Sequence, residues 1–240
     1  MASRRNEEGS HHYLGVDPRA QLDRYEVIED PKSKVAARMS SFDHCYSYFQ
    51  SAFVSRRQSE LANDVSIQSS CLHLGFYLAS WGMYRASGAL SEFSSARLSP
   101  VVQVIANAPL QIWDLDVDRY STDSIKALID FGERLRAEFP RGKGRAKSKA
   151  SDTLVTKALL GVFGNTPAFD TYFRSGMGCQ SFNEKSLNRV RSYFDKHRDA
   201  IEEARDPVCD FDGTPNKFRY TQAKVIDMIF FAKGGGIGIS

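Results

Sequence analysis

Ser121-Thr-Asp-Ser-Ile-Lys-Ala-Leu-Ile-Asp-Phe-Gly-Glu-Arg-Leu-Arg-Ala-Glu-Phe-Pro140 reads as one complete helix. The opening Ser-Thr-Asp-Ser run supplies side-chain oxygens for the orphan amides of a first turn. Ile125, Leu128, Ile129, Leu135 and Phe139 then fall on one side, the three-and-four spacing of an amphipathic helix. Pro140 has no amide hydrogen to donate and closes it. The same grammar continues upstream. From Ser41, an apolar stripe runs through Phe42, Cys45, Tyr46, Phe49 and Phe53. The segment from Ile67 to Tyr84 holds Leu72, Leu74, Phe76, Tyr77, Leu78, Trp81 and Met83, is apolar nearly all round, and is expected to be a central, buried helix. Ser99-Pro100 opens another, which carries Val101, Val104 and Ile105 and stops at Pro109.

Downstream, Ser151-Asp152 starts a helix through Leu154, Val155, Ala158 and Leu159 to Gly161. A short helical turn is expected from Ala168 to Phe173. A long helix is striped by Leu187, Val190, Phe194 and Ile201, and a very apolar one runs from Tyr220 to Phe231. Alternating strand patterns are scarce. The chain is therefore expected to be all-α, with about eight helices. Residues 1–33 mix charges with Pro18 and Pro31 without periodicity and read as a poorly ordered arm before a helical domain over 34–240.

At 240 residues, 42% hydrophobic and 25% charged, the chain has the composition of a globular protein. A chain of this length buries roughly 70–75% of its unfolded surface and needs no disulfide or metal staple. The cysteines, Cys45, Cys71, Cys179 and Cys209, form no CxxC pair and read as reduced core thiols. No run approaches a membrane span, and Met1 to His12 lacks the apolar core of a signal peptide, so the expected location is the cytoplasm. Net charge is +3, which permits a nucleic-acid partner without requiring one.

Several motifs fail on inspection. Asp210-Phe-Asp212-Gly-Thr214 resembles the opening of the haloacid dehalogenase phosphatases, but that chemistry needs an α/β sheet built after it. Only 26 residues follow, so a turn is expected. Asp114-Leu-Asp116-Val-Asp118 resembles a calcium loop, yet Arg119 and Ile125 stand where an EF-hand needs Gly and Glu. The Gly234-Gly-Gly-Ile-Gly tail lacks the helix and Lys-Ser/Thr of a phosphate loop. No metal or cofactor is expected. One charged stretch stands out. Arg141-Gly-Lys-Gly-Arg-Ala-Lys-Ser-Lys149 holds five cations in nine residues and no acid. It is either a solvated loop or a phosphate-binding one, with Arg141, Lys143, Arg145, Lys147 and Lys149 meeting a nucleic-acid backbone.

The most informative stretch is Ser151-Asp-Thr-Leu-Val-Thr-Lys-Ala-Leu-Leu-Gly-Val-Phe-Gly-Asn-Thr-Pro-Ala-Phe-Asp-Thr-Tyr-Phe173. With Leu78-Ala-Ser-Trp-Gly-Met-Tyr-Arg85, it resembles the helix–hairpin–helix DNA glycosylase superfamily, the group that includes the 8-oxoguanine glycosylases. In that family a buried helix leads through a short loop to Pro-x-x-Asp or Pro-x-Asp opening the next, here Pro167-Ala-Phe-Asp170. Lys157, thirteen residues before Asp170, matches a Thr/Ser-Lys-x-Leu pattern of uncharacterised relatives. The matched stretches cover about a sixth of the chain. The resemblance implies two helical subdomains around a cleft, a monomer, and excision of a modified base from double-stranded DNA, as in defence against phage with modified bases. It also departs from the family. Gly161-Val-Phe-Gly164 fits the hairpin poorly, Phe139-Pro-Arg-Gly142-Lys-Gly144 fits better, and the Schiff-base lysine position falls on Ala146, one residue from Lys147. A monofunctional enzyme is therefore expected.

Chemistry supports Asp170 apart from the family. A fixed carboxylate stabilises the oxocarbenium-like sugar formed as a glycosidic bond breaks, and it orients water. Its alternative role is to cap the helix that follows. Lys157 is expected to join it in catalysis, reaching a phosphate or pairing with Asp170; the alternative is a surface lysine with a buried stem. Trp81 and Arg85, one helical turn apart, are expected to stack a flipped base and hold a phosphate, with Phe169 and Tyr172 lining the pocket. The alternative for the aromatic residues is core packing. At the level of the whole protein, the alternative is a non-catalytic helical DNA-binding or phage-defence interaction protein.

Overall fold

The computed structural model describes residues 12–26, 34–85, 90–141 and 149–236. Ten α-helices and one small hairpin make up the described chain, in accord with the all-α expectation: α1 (Pro18–Glu26), α2 (Lys34–Val54), α3 (Ile67–Ser80), α4 (Ser99–Ala106), α5 (Leu110–Trp113), α6 (Thr122–Glu138), α7 (Asp152–Phe163), α8 (Thr171–Met177), α9 (Glu184–Glu203) and α10 (Gln222–Lys233). The additional helices are α1 and the single turn α5. Both are too short to show a helical period in sequence.

Caps sit where the side-chain chemistry puts them. Ser121 and Ser124 form a capping box on α6, Ser151 caps α7, and Thr221 caps α10. Gly164 ends α7 in the left-handed conformation, at φ 65°, where a Cβ would also meet Thr221 and Tyr46.

Two helices form the centre. Every residue of α7 from Leu154 to Phe163 and every residue of α10 from Gln222 to Ala232 is buried. Helices α2 and α3 pack together against α7, while α1, α8 and α9 surround α10. The α3–α7 crossing depends on Gly161, because a Cβ there would lie 2.3 Å from the Tyr77 ring.

Three expectations change, and the turn expected at Asp210–Thr214 is present. Within the stretch read as an arm, residues 12–26 form a 3-10 turn and α1, and Tyr13, Val16, Leu22 and Tyr25 join the core. Four apolar residues without a regular period still suffice to dock a short segment onto α10. Helix α3 is not buried all round, since Leu72 and Phe76 are exposed on its outer side. It also ends at Ser80 rather than near Tyr84, because Gly82 takes φ 82°. The turn expected at Asp210–Thr214 is the tip of an antiparallel hairpin between β1 (Pro207–Cys209) and β2 (Pro215–Arg219), pinned to α2 where Asp43 accepts the Cys209 amide. These strands are too short for alternation to register. All four cysteines are free, Cys45 and Cys71 buried and the others partly so. Among the described residues no helix is long and apolar enough to cross a membrane.

Candidate functional site

The loop from Asn165 to Asp170 leaves α7 and is held on three sides. The Phe169 amide donates to Thr156 Oγ1 at 2.7 Å, and Thr153 Oγ1 donates to the Phe169 carbonyl at 3.0 Å. The Ala168 amide donates to Asp227 Oδ1 of α10 at 2.9 Å, and Tyr120 donates its hydroxyl to the Asn165 carbonyl. These bonds deliver Asp170 to the N-cap of α8 in a defined orientation. Its Oδ1 accepts the Phe173 amide at 2.9 Å and its Oδ2 accepts from Lys157 Nζ at 3.0 Å. The two side chains are 12% and 4% exposed. The capping role and the pairing role therefore coexist, one on each oxygen.

Lys157 comes from the middle of α7, and its Nζ sits 4.1 Å from the centroid of the Trp81 ring. Trp81, half-buried at the C-cap of α3, meets Phe231 edge-on at 5.7 Å. Tyr172, 44% exposed, meets the same Phe231 at 5.2 Å. Two partly exposed aromatic rings thus flank Phe231 beside the buried Lys157–Asp170 pair.

Of the expected site residues, Asp170, Lys157, Trp81 and Tyr172 come together. Arg85 does not share a helical face with Trp81, because α3 has already ended; it is exposed in the following turn. Phe169 is fully buried between Phe173 and Phe182 and belongs to the core rather than to a pocket wall. Arg141 and Lys149 are exposed at the two ends of the cation run. Lys143, Arg145 and Lys147 lie outside the described residues, as does the Gly142–Gly144 hairpin candidate. Gly161–Gly164 is not a hairpin, since α7 runs to Phe163. The base of the cation run is clamped by buried Arg136, which donates to Asp152 Oδ1 at 2.6 Å and to the Ala150 carbonyl.

Sequence reading missed two charged residues beside this site. Lys224 is fully buried, and its ammonium has no hydrogen-bond partner among the described residues. It faces the rings of Phe42 at 4.7 Å, Tyr220 at 5.7 Å, Tyr25 at 5.9 Å and Trp81 at 6.0 Å. Burial pushes its pKa down, opposed by the charges of Asp227 and Asp43. Asp227 is pushed up to about 6 by burial, against the pull of Lys224 and Lys157. The available signal was a Lys and an Asp three residues apart in an otherwise apolar helix. Asp116 is likewise pushed up to about 6 by burial, opposed by the amides of Val117, Gln222 and Ala223 that it accepts. Both of its oxygens serve the backbone, which accounts for Asp116 without a cation. No cluster of three or more metal-ligating side chains occurs among the described residues.

Comparison of the chain with protein-family models, curated proteins and solved structures gives no match.

Proposed function

We propose that this protein is a monofunctional DNA glycosylase of the helix–hairpin–helix type, acting as a cytoplasmic monomer. Its helices would form two subdomains around a DNA cleft. Its substrate is a modified base in duplex DNA, with the hypermodified cytosines of phage genomes as the leading class. The single observation that carries the reading is Asp170. It is a largely buried carboxylate immobilised by the α8 amide and the Lys157 ammonium, beside the partly exposed rings of Trp81 and Tyr172.

In this mechanism the base is flipped onto Trp81 and Tyr172. The glycosidic electron pair leaves with the base, which takes up a proton. The cationic sugar is stabilised by Asp170, and water adds to C1′ after losing a proton. Lys157 Nζ is engaged by Asp170 Oδ2 at 3.0 Å and holds that side chain in place. The cations of 141–149 would hold the phosphate backbone.

The test is to incubate the protein with ordinary and phage-modified duplexes and assay for alkali-labile sites. Asp170→Asn is expected to abolish them while DNA binding persists. Unchanged cleavage by the variant removes Asp170 from the mechanism.

A second reading rests on the same carboxylate. Both oxygens of Asp170 are already engaged within the protein, as a purely structural staple would be. The chain is then a non-catalytic helical DNA-binding or phage-defence protein, which shows salt-dependent DNA affinity and no abasic product. If reversing the charges of Arg141, Lys143, Arg145, Lys147 and Lys149 leaves the biological effect intact, DNA is not the partner at all.

A further inference from the structure

A cavity of about 540 Å³ opens between α2, the 3-10 turn Gln58–Ala62, α3 and the hairpin tip. It shares no lining residue with the Asp170 site. Two stacked aromatic pairs stand in its walls. Tyr48 and His73 are 4.1 Å apart and 14° from parallel; His44 and Phe211 are 5.5 Å apart and 30° from parallel. Phe211 is 93% exposed, so folding leaves a whole phenyl ring in water at the mouth of a cavity. Arg57 extends from the rim with its side chain 64% exposed, in a 3.9 Å contact with Glu60. Asp210, the other acid of the wall, is already engaged by Asn216.

We propose that this cavity is a nucleotide-binding site, taking a planar heterocycle against the stacked rings and its phosphate on Arg57. Two features define that class of ligand. Stacking surfaces accept any flat heterocycle, because every base presents a π face. A guanidinium on an open rim, in only a long 3.9 Å contact with Glu60, matches a phosphate bidentately. His73 fits the scheme as a neutral ring, since burial and the nearby His44 push its pKa down. The volume lies within the range of small-ligand sites. The same chemistry describes a free mononucleotide and one nucleotide of a strand.

Calorimetric titration of the full chain with adenosine and cytidine monophosphates, the corresponding nucleosides, and a short single-stranded oligonucleotide separates these sources. Saturable binding of the monophosphates identifies a free nucleotide. Binding of the oligonucleotide alone identifies a strand unit. In either case Phe211→Ala weakens binding roughly tenfold through the lost stack. Because Phe211 stands in solvent, this variant folds as the parent does. Arg57→Ala weakens the phosphate-bearing ligands and leaves any nucleoside binding unchanged. The proposal is overturned if none of the probes binds, or if binding is the same in Phe211→Ala and His73→Ala as in the parent. The readout is binding rather than base excision, so it stands or falls apart from the role of Asp170.

Discussion

Neutralising one member of the Lys157–Asp170 pair should cost more stability than neutralising both. The charges lie 3.0 Å apart with side chains 4% and 12% exposed, and at an effective dielectric of 20 their attraction is about 5 kcal/mol. Asp170→Asn keeps an oxygen for the Phe173 amide, so the α8 cap survives. What remains is a buried ammonium without its counter-charge, a situation that costs about 3–5 kcal/mol. Asp170→Ala loses the cap as well, a further cost of about 1 kcal/mol. Lys157→Met removes the contact with Trp81 and leaves a carboxylate that still holds an amide. The double variant Lys157→Met with Asp170→Asn contains no stranded charge and should be more stable than Asp170→Asn alone. Urea unfolding of the four proteins at pH 7, followed by circular dichroism, completes the cycle, with an expected coupling of about 2–4 kcal/mol. Asp170→Asn costing under about 1 kcal/mol, together with zero coupling, would refute the argument that this pair is desolvated.

The second buried pair is weaker in geometry and should respond differently. The Lys224 ammonium has no hydrogen-bond partner among the described residues, so Lys224→Met with Asp227→Asn should match or exceed the parent in stability, by up to about 4 kcal/mol, in the same urea assay. Carbon-detected titration should place the Asp116 and Asp227 midpoints near 6. These carboxyls bind protons more tightly when folded than when unfolded. Their contribution is therefore complete below the unfolded value, about 3.9, and is lost as pH rises through about 6. A midpoint near 4 for both would contradict their burial. Gly161→Ala should destabilise by about 1–3 kcal/mol, because the new methyl group meets the Tyr77 ring of a neighbouring helix; an unchanged melting temperature would show that α3 and α7 can separate freely.

Most of the helical framework was legible because its signals are local. The Ser121 and Ser151 caps, Pro100 in the first turn of α4, and the stripes of α6 and α9 each act within a few residues. What escaped reading depends on tertiary contact. Helix α1 has too few apolar positions to announce itself and is held by docking against α10. Leu72 and Phe76 are exposed although their helix is apolar on most sides; composition fixes how much apolar surface a helix has, not which side another element covers. Trp81 and Arg85 diverge because Gly82 breaks the helix between them, a choice of positive φ that glycine permits but does not require.

The site was half legible for a related reason. Pro167 and Asp170 carry a helix-start signal in sequence, so the cap could be read, and the partner on Oδ2 could be named only as one option among several. Lys224 and Asp227 left their mark as charges in an apolar helix, yet their meaning depends on Ala168, which lies 59 residues from Asp227 in the chain. That hydrogen bond joins the Asp170 loop to α10. The loop that aims Asp170 is held by Asp227, whose carboxyl is pushed up by burial and drawn down by Lys224 and Lys157. Capping and catalysis are therefore not exclusive roles for Asp170. Oδ1 is committed to the backbone of α8 and Oδ2 to Lys157, so under the proposed reading a sugar becoming positive on that side would compete with Lys157 for the same oxygen. If Asp170 acts as proposed, a substrate would have to approach past Trp81, the ring against which Lys157 Nζ lies, and not through the core side occupied by Phe169.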